Sequence, residues 1–276
     1  MYTLNCKGKL LIIDQPVVMG IINITPDSFY SGSRRQATAD IVTVAGTMLR
    51  EGAAMIDLGG QSTRPGSSLV SESEEKSRVI PAIEAIYRQF PHCVISVDTF
   101  YATVAEAAVK AGASIVNDIS AGLFDTNMLS MVASLDVPYV CMHNKGIGDG
   151  MHKDPHYEDI VKEVLDFFIE RIAACQNAGI KDVVIDPGFG FAKTIAHNFQ
   201  LLQRLPVFKM LEKPLLLGVS RKSTIYKTLG ITADEALNGS TVLHTIGLLN
   251  GAAILRAHDV KEAMEAIKLV SAYQTI

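Results

Sequence analysis

From Pro16 onward the chain alternates short apolar runs with amphipathic segments, and nearly every run breaks off at a polar residue. The runs are Val17–Asn23, Ala54–Gly60, Val94–Val97 before Asp98, Ser114–Val116 before Asn117, Pro138–His143, Val183–Ile185 before Asp186, Leu215–Val219 before Ser220, and Ala252–Leu255 before Arg256. Short runs that are apolar throughout suit strands buried on both faces, and amphipathic segments between them suit helical crossovers between parallel strands. Helices are expected over Ala39–Gly52, Glu72–Gln89, Tyr101–Ala111, Tyr157–Ala178 and Val260–Ala272. Eight strands, each followed by a helix, is the count of an α/β fold closed into a (β/α)8 TIM barrel. A doubly wound open sheet competes, but it uses fewer units and a phosphate fingerprint after its first strand, and none stands here. Residues 3–14 read as a short N-terminal β-hairpin turning at Lys7-Gly8-Lys9, a piece able to plug a barrel floor. With no linker in sight, residues 1–276 are expected to form one domain.

Composition narrows the partners. The chain is 48% hydrophobic and 20% charged with a net charge of -4, and it has no basic stripe, which argues against nucleic acid. Asp, Lys, Pro or Gly interrupts every apolar run well short of the roughly 20 residues of a membrane span. Met1–Lys9 lacks the charged-then-apolar order of a signal peptide. Cys6, Cys93, Cys141 and Cys175 are too scattered for a zinc site or disulfide frame, so reduced thiols in a cytoplasmic protein are expected.

In a barrel the strand ends gather on one face, so Asn23, Asp57, Asp98, Asn117, Asp186, Lys222 and Arg256 would rim or line a single cup. Any one of them alone is as well explained as a polar loop start. Asp57 is followed by Leu58-Gly59-Gly60, which places it deeper and gives it a supporting role. The stretch Asp186-Pro187-Gly188-Phe189-Gly190-Phe191 delivers a carboxylate beside two aromatics where a strand breaks into a turn. Asp98 and Asp186 offer acceptors only, while Asn117 offers both donor and acceptor. That inventory suits a flat heterocycle with an amino-lactam edge, such as a pterin or guanine. Ser220-Arg221-Lys222 and Arg256-Ala257-His258 stand where barrels commonly bind phosphate, with arginine able to fork onto its oxygens. A flat polar ring at the centre and an anion at the edge follow from these residues.

Other signals are weaker. His152 and His156 have metal-pair spacing, but Pro155 between them argues for a loop. Gly146, Gly148 and Gly150 belong to a loop with no helix opening on it, hence no dinucleotide fingerprint. No Ser or Cys has a neighbouring His–Asp pattern, and His92, His197 and His244 read as surface or packing residues.

The strings Met19-Gly20-Ile21-Ile22-Asn23-Ile24-Thr25-Pro26-Asp27-Ser28-Phe29, Ser62-Thr63-Arg64-Pro65-Gly66, Ser96-Val97-Asp98-Thr99, Val116-Asn117-Asp118-Ile119, Asp186 to Phe191, Ser220-Arg221-Lys222 and Arg256-Ala257-His258-Asp259 occur in this order. In them the chain resembles the pterin-binding barrel family, and within it the dihydropteroate synthases. The resemblance implies a transferase of folate biosynthesis that condenses hydroxymethyl-dihydropterin diphosphate with 4-aminobenzoate and releases diphosphate. By the same resemblance Asp98, Asn117, Asp186 and Lys222 hold the pterin, with Ile119 and Met142 also against substrate. Asn23 is then the ligand of a Mg2+ on the diphosphate, which Thr63, Arg256 and His258 also bind. Phe191, Pro65, Thr63, Ser220 and Lys222 would shape the aminobenzoate pocket, with Arg64 near the incoming acid. Asp98, Lys222 and Arg256 are the expected catalytic groups, and loops 25–35 and 61–72 are expected to close over them.

Two residues depart from the family pattern. Gln61 stands where Glu is usual, which is expected to alter its loop, and Ala192 where Gly is usual, whose methyl would resist a positive φ and change the turn. A pterin-dependent methyltransferase on the same barrel and a non-catalytic pterin-binding homologue remain as rivals. The former would not need the two anion-binding motifs, and the latter should show damage at Asn23 or Lys222. Ala236–Leu249 is apolar around much of its circumference, and with the family habit this leads us to expect a homodimer.

Overall fold

The computed structural model describes residues 1–24, 34–61, 69–146 and 155–275. Eight parallel strands form one sheet: β3 (Val17–Asn23), β4 (Met55–Gly59), β5 (Val94–Asp98), β6 (Ile115–Asp118), β7 (Tyr139–Met142), β8 (Val183–Asp186), β9 (Leu216–Leu217) and β10 (Ile254–Ala257). Their order is β8-β7-β6-β5-β4-β3-β10-β9, and an isolated parallel bridge between Ile185 and Leu215 joins the two ends. The barrel expected from the strand count is therefore present, with its seam at β8–β9. The seventh barrel strand was expected over Leu215–Val219, but its ladder runs only over Leu216–Leu217. Along its edge toward β8 it pairs, among the described residues, through that bridge alone.

Period-two alternation along the strands divides the apolar residues into two cores. Met19, Met55, Val94, Ile115, Val140, Val184, Leu216 and Ile254, one from each barrel strand, fill the interior near the floor. Val18, Ile56, Val97, Val116, Cys141, Ile185, Leu217 and Leu255 point outward and pack under the helices. The hairpin β1 (Tyr2–Cys6) and β2 (Lys9–Ile13) contributes Leu4, Cys6 and Ile13 to the inner group, so it does cap the floor. Lys7 and Gly8 take φ of 54° and 84°, the positive pair that a two-residue hairpin turn requires. The Asn5 amide donates to Asp182 Oδ2 at 2.7 Å and Lys7 Nζ to the Val109 carbonyl at 2.8 Å, which fixes the plug to two barrel elements.

The crossovers are α1 (Arg34–Glu51), α2 (Glu72–Gln89), α3 (Ala102–Ala111), α4 (Met128–Leu135), α5 (Ile160–Ala178), α6 (Ile195–Gln203) with a 3-10 segment at Leu205–Leu211, α7 (Ser223–Leu229), α8 (Leu237–Leu249) and α9 (Val260–Gln274). Local chemistry sets their ends. Ser71 caps α2 by accepting from the Glu74 amide, ahead of three glutamates in its first turn. Asp159 accepts from the amides of Val161 and Lys162 to start α5, and Gly179 closes it with φ 96°. The first helix begins five residues before the expected Ala39, and two helices rather than one follow β9. No helix among the described residues is long and apolar enough to cross a membrane, and all four cysteines are buried and free. Leu4 is 2% exposed. Leu4→Ala should therefore lower unfolding free energy by about 2–5 kcal/mol in urea titration while leaving the far end of the barrel intact.

Candidate functional site

The interior positions next above the floor layer belong to Asp57, Ser96, Asn117, Met142, Asp186, Gly218 and Arg256, and Asn23, Asp98, Ser220 and His258 lie one step nearer the rim. Strand register fixes this: Asp57 pairs with Ser96, Gly59 with Asp98, and Asp98 with Asn117. The polar residues at the strand ends thus meet in one cup, as the sequence led us to expect.

Arg256 organises the cup. Its Nε and Nη2 lie 2.7 and 2.6 Å from Asp57 Oδ2, and Nη2 lies 2.8 Å from Asp98 Oδ2. Asn117 Nδ2 donates to the same Asp57 oxygen at 3.0 Å. Asp57 is fully buried and its other oxygen, Oδ1, has no hydrogen-bond partner among the described residues. It lies below the rim, as read from sequence, and joins β4, β6 and β10 at one atom. Burial pushes Asp98 up to about 7 against the pull of Arg256, with Asp57 and Glu75 adding to the rise.

The turn after β8 places the next groups. Asp186 Oδ1 accepts from the Gly188 amide at 2.8 Å, and burial raises this carboxyl despite that bond. A Cβ on Gly188 would fall 2.0 Å from the His143 carbonyl, so only glycine fits there. Phe191 packs with Phe100, Ile119 and Met142 in a small apolar cluster, a shelf beside the carboxylates. Lys222 Nζ stands 3.9 Å from the centroid of the Phe191 ring. Burial first, then Arg256, brings this lysine down to about 8, opposed by Asp186 and Asp98.

On the anion side, Ser220 Oγ lies 3.1 Å from His258 Nδ1 and accepts the His258 amide at 3.2 Å. Burial and Arg256 drive His258 down to about 4, so the imidazole is neutral and offers hydrogen bonds rather than charge until an anion arrives. Arg221 is not available to an anion: its fork is on Asp259, at 2.9 and 2.8 Å. Asn23 is exposed at the end of β3, with its Oδ1 beside Gly59 and near Asp98. Among the described residues no group of three or more His, Cys, Asp or Glu could hold a metal. Thr63, Arg64, Pro65, His152 and most of both expected closing loops lie outside the described residues.

One expected consequence of the sequence departures needs correcting. Ala192 adopts φ 43° in place of glycine. Its methyl costs about 1 kcal/mol there, and the Tyr157 hydroxyl holds the turn by donating to the Ala192 carbonyl. Residues 62–68 of the loop after Gln61 lie outside the described residues, so only the contacts of Gln61 itself are on view. It bonds both the amide and the carbonyl of Val70 and donates to Glu75 Oε2 at 2.7 Å. A glutamate at 61 would set two buried carboxylates together, and burial already raises Glu75 to about 6. Sequence reasoning missed Lys193. Its half-buried amine lies 2.9 Å from His143 Nδ1 and donates to the carbonyls of Gly188 at 3.0 Å and Phe191 at 3.1 Å. A lone lysine carries no periodic or motif signal. His92 is exposed, His197 completes a capping box with Thr194, and His244 is buried, in keeping with their expected packing or surface roles.

The cup therefore holds acceptors on one edge, an apolar shelf, and two cations, which fits a flat ring bearing donors together with an anion. Comparison with known proteins agrees. The family model described as pterin binding enzyme matches residues 19–258. The dihydropteroate synthase of Escherichia coli (strain K12) is 44% identical over 268 residues, 96% of this chain and 94% of that protein. A structure of the Xanthomonas albilineans dihydropteroate synthase with 4-aminobenzoic acid superposes with TM-score 0.93 at 42% identity, covering 99% of this chain and 98% of that one. Another from the same organism, in complex with 7,8-dihydropteroate, gives TM-score 0.90 at 40% identity over 100% of both chains.

Removing Arg256 leaves Asp57 and Asp98 without the cation that bridges them. Arg256→Met should therefore cost about 3–5 kcal/mol. Asp98 already holds its proton more tightly folded than unfolded, and losing Arg256 strengthens that hold. Folded stability from this group is present at low pH and lost as pH rises, so the loss in urea titrations should be larger at about pH 8 than at about pH 5.

Proposed function

The chain belongs to the pterin-binding enzyme family, among its dihydropteroate synthases, and from that premise we propose how its own residues join hydroxymethyl-dihydropterin diphosphate to 4-aminobenzoate with release of diphosphate. The observation that carries the assignment is the convergence of Asp98, Asn117, Asp186 and Lys222 around Arg256, beside the shelf of Phe191, Ile119 and Met142. Asp186, Asp98 and the amide oxygen of Asn117 accept from the N–H groups of the pterin edge. Lys222 donates to a ring acceptor, and the shelf excludes water from the ring face. Arg256 has Nη1 uncommitted among the described residues, and with His258 and Thr63 it receives the diphosphate.

Charge development then sets each role. As the C–O bond to diphosphate breaks, positive charge grows on the pterin and negative charge on the leaving group. Asp98 steadies the first and Arg256 the second. His258, neutral beforehand, can accept a proton once the anion is beside it. Phe191, Ser220, Lys222, Pro65 and Arg64 hold the aminobenzoate so that its amine meets the exposed carbon. That amine carries a free lone pair, so no general base is required.

Asn23 is suited to help hold Mg2+, since an exposed amide oxygen near Asp98 matches a hard cation that keeps most of its waters and shares them with substrate phosphates. Bound there, the ion would neutralise charge on the departing diphosphate.

The chain is further proposed to be a cytoplasmic homodimer. Val242, Ile246 and Leu249 form an exposed apolar stripe on α8, and Leu269 and Tyr273 are exposed on the adjoining α9. Ile246→Glu should shift the sedimentation coefficient to that of a monomer, and an unchanged coefficient would place the interface elsewhere.

The decisive assay mixes the protein with pterin diphosphate, 4-aminobenzoate and Mg2+ and follows diphosphate and dihydropteroate. Turnover is expected, and its absence would sink the assignment. Asp98→Ala should weaken pterin binding by calorimetry about 100-fold, the scale of a lost charge-assisted pair of hydrogen bonds.

A further inference from the structure

Two residues inside the site motifs face away from the cup. Arg221 sits between Ser220 and Lys222, and Asp259 directly follows His258. Arg221 Nε and Nη2 make parallel bonds to Asp259 Oδ2 and Oδ1 at 2.9 and 2.8 Å. Its Nη1 donates to the carbonyls of Ala233 at 3.2 Å and Asp234 at 2.7 Å, in the link between α7 and α8. Its backbone amide donates to Ser240 Oγ on α8 at 2.9 Å. The residue is held at φ 53°, a left-handed conformation that a side chain resists and that persists only when its surroundings over-determine it.

The need for such a tie comes from the sheet. β9 pairs with β10 only at Leu216–Ile254 and Leu217–Leu255. Beyond Leu217 no ladder sets the position of Ser220 and Lys222 relative to Arg256 and His258. Other bonds must do so, and those present are Ser220 to His258 on the cup side and Arg221 to Asp259 behind it.

We propose that the Arg221–Asp259 fork is a positioning device that replaces the missing β9–β10 ladder and keeps the turn bearing Ser220 and Lys222 in register with the strand end bearing Arg256 and His258. This rests on the reading above, in which Lys222 grips the ring and Arg256 with His258 the diphosphate of one substrate. A ligand that spans both turns then depends on the fork, whereas a ring held without its diphosphate depends on it much less. Both residues are positioning residues, since neither touches substrate.

The test uses the full chain with Asp259→Asn, which keeps shape but loses charge, Arg221→Lys, which keeps charge but loses the fork, and Arg221→Gly, which relieves the positive φ while deleting the fork. In each, kcat/KM for pterin diphosphate should fall about 10- to 100-fold, the scale on which a misplaced binding group registers. Affinity for the hydroxymethylpterin lacking diphosphate should change by no more than about threefold, as expected when only one turn is engaged. Added guanidinium ion should restore part of the rate in Arg221→Gly and none in the unmutated protein. Wild-type turnover with all three variants would overturn the proposal, as would equal losses for ring and diphosphate substrate. If the arginine variants fail to fold, Asp259→Asn decides the matter by the same comparison. Failure of the unmutated chain to make dihydropteroate would instead count against the assigned reaction.

Discussion

One guanidinium between two carboxylates sets the terms for this barrel. Asp57 and Asp98 come from adjacent strands and reach into the same low-dielectric cup, where two unscreened negative charges would repel each other. Arg256 enters from β10, on the far side of β3, and lets both remain. Counting Asp186 and Lys222, the cup holds three carboxyl groups and two cations. A ligand bringing hydrogen-bond donors to the carboxylates and an anion to the cations would satisfy both sets at once. Burial of these groups lowers Lys222 even with Asp186 and Asp98 beside it, and Asp57 Oδ1 has no partner among the described residues.

How much of this the sequence disclosed depended on periodicity. Strand ends could be read because buried parallel strands are apolar until they meet the cup, so Asp98, Asn117 and Asp186 marked themselves. Asp57 could be placed below the rim by counting, since two more residues of strand follow it, but its partners could not. They lie on strands distant in sequence, and only closure of the barrel brings Arg256 across to it. The short helix α4 escaped for want of length, as it spans little more than two turns. Arg221 was the more instructive miss. Its neighbours both face the cup, and nothing local reveals that a left-handed backbone turns its side chain toward Asp259 instead.

The same contrast runs through the whole active face. The floor and the deeper cup residues are held by sheet ladders, while the rim groups Ser220, Lys222 and His258 are carried by turns beyond the ladders. Four segments near the cup are tied by a buried or half-buried polar group, and the sign of its charge follows the backbone groups it satisfies. After β6, amide N–H groups converge, and the tie is an acid: Asp118 accepts from the amides of Ser120 and Gly122 and from the Tyr139 hydroxyl. After β8, carbonyls converge, and the tie is a base, Lys193. Between α7 and α8 carbonyls converge again, and Arg221 meets them. Gln61, which must bond one amide and one carbonyl of Val70, is neutral and carries both a donor and an acceptor. A buried turn cannot leave its peptide groups unpaired without a cost of about 1–3 kcal/mol each. The residues one step behind the site are accordingly as constrained in chemistry as those that meet the substrate.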